Sequence, residues 1–237
     1  MTGLRERGPR DAQSFDHLAG WYRRFAELTS DEVHAWLSFR LPARAGRAVD
    51  LGCGTGAHTG LLATRFAEVL AVDVSAPMLR QARAGRPAGN VRYEQRDLRE
   101  VTREEDGRFD TVLSTFALHH LPDLETALEH LGSLTRPGGQ VLVVDQVDVR
   151  RHGPRSGMRT EAWRAFSDAL LHRRRPVGEA VELLRLQLNR DWLDHRASDR
   201  LHAPEDWERL ATRVFPDAAI TSLEQARGLH WRAPTWI

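Results

Sequence analysis

A glycine-rich loop set between two short apolar runs constrains this chain more than any other feature. Residues 47–53 (RAVDLGC) read as a strand that ends in Gly52-Cys53-Gly54-Thr55-Gly56, and residues 68–75 (EVLAVDVS) read as a second strand. Between them, residues 57–67 have helical spacing, with Leu61, Leu62 and Phe66 on one side. Strand, helix and strand in this order make a parallel βαβ unit. Glycines let the backbone turn sharply and let a ligand approach where a Cβ would otherwise stand. The amide groups at the start of the helix favour an anionic group nearby.

The alternation continues past this unit. Residues 76–84 read as a helix with Pro77 in its first turn, where proline is tolerated. Residues 90–97, 109–116 and 140–146 read as strands, and 124–134 as a helix stopped by Pro137-Gly138-Gly139. The rhythm then changes. Residues 159–197 are helical and arginine-rich, broken near Pro176 and Gly178. Residues 205–214 are a helix opened by Pro204, and 218–225 and 228–234 are closing strands joined by a tight turn. The expected fold is α/β: a Rossmann-like, seven-stranded, mostly parallel sheet with helices on both faces. A flexible arm over 1–13 would precede a single domain over 14–237. Within it, 14–40 would form a helical lid and 151–203 a helical insertion shaping an acceptor pocket.

Composition narrows the function classes. The 237 residues carry a net charge of +1, from 34 cationic and 33 acidic side chains. Every cation is arginine. Arginine suits phosphate recognition, but these are scattered and balanced by acids, which reads as base composition rather than a nucleic-acid surface. With one cysteine, Cys53, neither an internal disulfide nor a cysteine zinc site can form. The polar N-terminus has no signal-peptide pattern, and no apolar run approaches the roughly 20 residues of a membrane span. A cytoplasmic protein, monomeric or homodimeric, without membrane or nucleic-acid partners, is the expectation.

Two acids follow the loop at telling places. Asp73 ends the second strand about twenty residues on, where a carboxylate can hydrogen-bond both hydroxyls of a ribose. Asp97 ends the third, where a carboxylate can accept from an adenine amino group. Gly52, Gly54 and Ala57 also satisfy the G-x-G-x-x-G/A dinucleotide pattern, so the loop alone does not choose between a nicotinamide and a methionine nucleoside. The wider set of motifs does. VDLGCGTG (49–56), AVDVSAPML (71–79), RDL (96–98), FDTVLSTFALHHLPD (109–123) and LTRPGGQVLVVD (134–145) resemble, in order and spacing, the class I S-adenosylmethionine-dependent methyltransferases of the small-molecule group.

That resemblance implies a set of roles. Gly52 and Gly54 would line the methionine and ribose end, Asp73 would hold the ribose hydroxyls, and Val74 and Met78 would flank the adenine. Asp97 and Leu98 would contact the adenine edge, and Thr115 would sit close to the methyl group. Asp50 resembles the acid that orders the loop. The stretch from Phe15 to Tyr22 resembles the FD-x-x-A-x-x-Y start of an N-terminal helix closing over the cofactor, which makes Tyr22 and Phe15 pocket candidates. The same residues also make an amphipathic helix. Met78 reads equally well as core, Asp145 as a structural acid, and Cys53 as an ordinary small residue without a partnered base.

His119 and His120 are the candidates for direct chemistry. A histidine there can take a proton from an acceptor hydroxyl or amine; the pair also resembles a common element that packs and bonds locally. A metal is not expected, since adjacent residues rarely aim at one ion and no third ligand is evident. The insertion holds Trp163, Phe166, His172 and Arg173-Arg174-Arg175, but no motif that names a substrate. The expected reaction is displacement of the methyl group onto an O, N or C atom of a small-molecule acceptor, leaving S-adenosylhomocysteine. Positioning and exclusion of water would supply much of the catalysis. An RNA or protein methyltransferase, a non-catalytic S-adenosylmethionine-binding protein and a nicotinamide dehydrogenase are the competing readings.

Overall fold

The computed structural model describes residues 16, 18–85, 88–149, 154–171, 175–199, 201–224 and 226–235. The expected arm over 1–13, with Phe15 and the stretch from His172 to Arg174, lies outside them.

Seven strands form one sheet in the order β3-β2-β1-β4-β5-β7-β6. They are β1 Ala45–Leu51, β2 Phe66–Asp73, β3 Val91–Gln95, β4 Phe109–Thr115, β5 Thr135–Gln146, β6 Ala219–Leu223 and β7 Ala226–Arg232. The first five are parallel; β7 runs antiparallel to β5, and β6 antiparallel to β7. The expected α/β fold is therefore present, with its two antiparallel strands at one edge.

The residues explain the layering. Central strands of a covered parallel sheet are buried on both faces and read as apolar runs, as VLVV in β5 does. Side chains alternate across the sheet. Val49, Leu51, Val112, Val141 and Val143 point to one face, where Leu124, Leu128 and Leu131 of helix α5 (Leu124–Leu134) and Trp207 and Ala211 of helix α9 (Pro204–Val214) cover them. Ala48, Leu113, Leu142 and Val144 point to the other, where helices α2 (Asp31–Arg40) and α3 (Thr59–Arg65) bring Trp36, Leu37 and Leu62.

Two boundaries differ from expectation. The helix ends at Leu134 as expected, but the following strand does not wait until residue 140: β5 begins at Thr135 and contains Pro137-Gly138-Gly139. A register shift between Phe109 and Thr111 of β4, with Gly138 at φ +73°, absorbs them, as a bulge does. The helical stretch past β5 also breaks twice rather than once. Helix α6 (Pro154–Leu171) is followed by α7 (Val177–Gln187), which starts after Pro176, and by α8 (Arg190–Ser198). Asn189 opens α8 by accepting the Trp192 amide at 3.1 Å, an ordinary N-cap.

Helix α1 (Ala19–Thr29) links this helical segment to the sheet. Its Leu28 packs with Ala169, Ala180 and Leu183 of α6 and α7. Its Ala19, with Leu18, packs with Met78 of helix α4 (Ala76–Gly85) and with Trp192 of α8. Among the described residues, no helix is long and apolar enough to cross a membrane.

Candidate active site

The carboxyl ends of β1, β2 and β4 open into a cavity of about 680 Å³, within the usual range for small-molecule sites. Its floor is the glycine loop. Gly52 and Cys53 both donate to Val72 O at 2.9 Å, which ties the loop to the end of β2. Gly52 sits at φ +75° and Gly54 at φ +52°. A methyl group on Gly52 would overlap that of Ala117, so only glycine satisfies both the backbone angle and the space.

Asp73 is buried beside this loop. Its Oδ2 accepts from Gly54 N–H and its Oδ1 from Ser75 N–H, each at 2.8 Å. Burial raises its pKa against the pull of those two amides. Tyr22 closes the other side, 3.8 Å from where a Gly54 Cβ would stand. Burial, with Asp73 nearby, pushes its phenol up to about 12, so it stays protonated. Across the cavity, Phe116 takes a left-handed backbone (φ 53°), held by its amide donating to Val144 O at 2.7 Å. That conformation is costly for a bulky residue and marks functional sites. Here it turns the chain from Thr115 into the short 3₁₀ turn Leu118–His120.

The cavity wall brings together Tyr22, Gly52, Gly54, Asp73, Val74, Met78, Asp97, Leu98, Thr115, His119 and His120. Met78 serves both expectations, being part of the apolar cluster under α1 and of the wall. Asp50 is the exception. It is buried behind the loop, where its Oδ2 accepts from Thr59 Oγ1 at 2.6 Å; the loop itself stands between it and the cavity. Burial pushes its pKa up to about 7, opposed by the Thr59 bond and assisted by Asp73. Asp97 lines the wall but is already engaged, accepting from Arg99 Nε at 3.0 Å and Nη2 at 2.6 Å. Those bonds hold its carboxyl below the usual range. Cys53 is buried against Ala71 and Leu79, which raises its thiol pKa well above normal and leaves it unsuited as a nucleophile.

The histidines belong to a larger group than their sequence suggests. His119 Nδ1 donates to Asp145 Oδ1 at 2.6 Å, so Asp145 orients an imidazole in the cavity wall. The His119 and His120 rings lie 4.0 Å apart, tilted by 49°. His195 of α8 is 5.5 Å from His120, and its Nε2 lies 3.3 Å from Asp199 Oδ1. One ligand atom each from His119, His120 and Asp199 lie within 4.8 Å of one another. A carboxylate that the sequence did not place beside the two histidines, Asp199, stands next to them just past the end of α8. Burial opposes a proton on His119, but Asp145 outweighs it and raises the pKa. Burial drives His120 down to about 2 and His195 to about 4, with His119 adding to both. Histidine and aspartate four apart, His195 in the last turn of α8 and Asp199 just past its end, were the available signal for the residues that sequence reasoning missed.

A Rossmann-like sheet with two antiparallel edge strands, a left-handed glycine loop and a buried acid at the end of β2 defines a class I S-adenosylmethionine-dependent methyltransferase. The comparisons agree. The methyltransferase-domain family matches residues 48–139. An uncharacterized methyltransferase of Mycobacterium tuberculosis is 39% identical over 204 residues, covering 84% of this chain and 93% of its own length. The chain belongs to this methyltransferase family. A trans-aconitate 2-methyltransferase of Deinococcus radiodurans is 46% identical over 125 residues, 52% of this chain and 46% of the relative. The magnesium protoporphyrin IX methyltransferase of Synechocystis PCC 6803, solved with bound S-adenosylmethionine, shares the fold at a TM-score of 0.59 and 16% identity, over 98% of this chain and all of that one (100%).

The residues present fit that cofactor. Loop residues Gly52 and Gly54, the Asp73 carboxyl group and the apolar side chains of Val74, Met78 and Leu98 line one cavity, an acid beside an apolar wall, as a nucleoside requires.

Proposed function

We propose that this methyltransferase acts on a small acid, forming a methyl ester at a carboxylate oxygen. One observation carries the reading. Outside the cofactor residues, the wall presents His119, His120, His195, Arg164, Arg175 and Arg196 beside the acids Glu32, Asp168, Asp199 and Glu224, of which Asp199 is met by His195, and Arg164 is the cation on which the reading rests. Arg164 makes no ion pair with any described side chain, so its guanidinium is available to an anion. The relative that methylates trans-aconitate, a tricarboxylic acid, supports the same class of acceptor.

S-adenosylmethionine supplies a methyl group on a cationic sulfur. As a carboxylate oxygen bonds to that carbon, the carbon–sulfur bond breaks and sulfur keeps the electron pair. The products are a methyl ester and S-adenosylhomocysteine. A carboxylate is already ionised at neutral pH, so no base is required. The protein's part is alignment and exclusion of water. Asp73, Gly52, Gly54, Val74, Met78, Asp97 and Leu98 would hold the nucleoside, with Asp50 supporting the loop from behind through Thr59. Tyr22 would cover the methionine end and Thr115 would stand beside the transferring carbon. His119 and His120, in the same wall, would help to orient the acceptor.

The test is a panel of small di- and tricarboxylic acids incubated with the purified protein and S-adenosylmethionine. Methyl esters identified by mass spectrometry, with KM raised on the order of tenfold in Arg164→Ala and kcat little changed, support the reading. Turnover confined to hydroxyl or amine acceptors overturns it.

A further inference from the structure

We propose that His119, His120 and Asp199 form a binding site for one first-row transition dication, of the zinc or iron(II) type, in the cavity wall. The site rests on side-chain placement. Two imidazoles and a carboxylate are brought from distant parts of the chain, and their ligand atoms already lie within 4.8 Å of one another. Tetrahedral ligands 2.0–2.2 Å from zinc lie about 3.3 Å apart, so a small side-chain contraction closes the set.

The surroundings match a built site. Asp145 holds His119 Nδ1 at 2.6 Å, which leaves Nε2 for the ion; a carboxylate behind a ligating histidine is the usual outer partner. Asp145 is 1% exposed, and its second oxygen has no hydrogen-bond partner. This buried charge is therefore balanced mainly through His119, and a cation on the far side of that ring would complete the balance. His195 plays the matching part for Asp199, at 3.3 Å, and is itself stacked on Trp192 with ring centres 5.9 Å apart. Each end of the triad is oriented from outside.

The donor types select the metal. Two imidazoles with one carboxylate suit zinc, iron(II) or cobalt(II), whereas magnesium and calcium prefer all-oxygen sites. Three protein ligands leave positions open, as in catalytic rather than structural sites. All three ligands line the cavity, so an acceptor carboxylate can fill an open position and be fixed there. That last step rests on the acceptor class proposed above; the metal site does not.

The test is a titration of chelator-treated full-length protein with Co²⁺, followed by visible spectroscopy. The expected result is one Co²⁺ per chain with d–d absorption of a four- or five-coordinate ion. Asp145→Asn should weaken binding roughly 10–100-fold, and Asp199→Ala and His120→Ala should weaken it further. S-adenosylhomocysteine affinity, measured in parallel, should persist in the variants and report that they fold. Sub-stoichiometric uptake, or full uptake by the Asp199→Ala/His120→Ala double variant, overturns the site. If Co²⁺ binds as expected but carboxylic acids leave its spectrum unchanged, the metal site stands and the acceptor class falls.

Discussion

The Gly54 amide donates to Asp73 Oδ2 at 2.8 Å, so the acid proposed to meet the ribose also holds the glycine loop. Its other oxygen holds Ser75 N–H, the residue just before α4. Removing this carboxylate therefore takes away two backbone contacts together with the proposed ribose contact. Asp73→Ala is expected to weaken S-adenosylhomocysteine binding at least tenfold and to cost about 1–3 kcal/mol of stability, since buried amides lose their acceptor. Calorimetry and thermal melting would read both. Lost affinity at unchanged stability would mean that the loop does not depend on Asp73.

Gly52 should tolerate no side chain. Alanine there must hold φ +75° and overlap Ala117. The angle alone costs of the order of 1–3 kcal/mol. Gly52→Ala is expected to lose cofactor affinity, and Ala117→Gly in the same chain should restore only part of it, because it removes the overlap and leaves the angle. Full restoration would show that crowding, not backbone conformation, selects glycine.

Asp50 gives the protein a pH dependence of definite sign. Burial raises its pKa from 3.8 to about 7 on folding. Between those values the folded chain keeps a proton that the unfolded chain has released, so stability falls as pH rises through the window and levels off above about 7. Asn in this place still offers an oxygen to Thr59 Oγ1. Asp50→Asn is expected to flatten that fall relative to the parent in denaturant titrations across the window. An unchanged difference between the two proteins at every pH would show that Asp50 does not titrate there.

The cofactor half of the site was legible in the sequence because its residues act through chain-local geometry. Glycines at a strand end and an acid at the next strand end carry their meaning in spacing. Asp50 shows the limit of that reasoning. The motif marks it as important, but only the packed loop shows that it faces Thr59 and not the cavity. The acceptor half was not legible. Asp145 reaches His119 through the pairing of β4 with β5, and His195 and Asp199 reach the pair only after α8 folds back, so nothing local in the chain announces that meeting. The early start of β5 was hidden for a related reason: an irregular register between β4 and β5 keeps Pro137-Gly138-Gly139 in a strand that local signals place further on.

The roof of the cavity offers a comparison of two kinds of contact. Arg24 of α1 pairs with Glu182 of α7 through two 2.8 Å hydrogen bonds, but both side chains are 40% exposed. Water and salt screen such a pair, which is worth about 0–1 kcal/mol. Trp192 is buried at 8% exposure and stands against Trp21 and Phe25 of the same helix, with ring centres 4.7 and 5.3 Å away. Truncating a buried tryptophan costs about 3–5 kcal/mol. Arg24→Ala should therefore shift the melting transition little, and less still in high salt, while Trp192→Ala should lower it several-fold more. Trp192 also lines the cavity and stacks on His195, so its loss should raise the acceptor KM, which Arg24→Ala should leave alone. Equal effects of the two variants would mean that the ion pair, not the aromatic packing, holds α1 over the site.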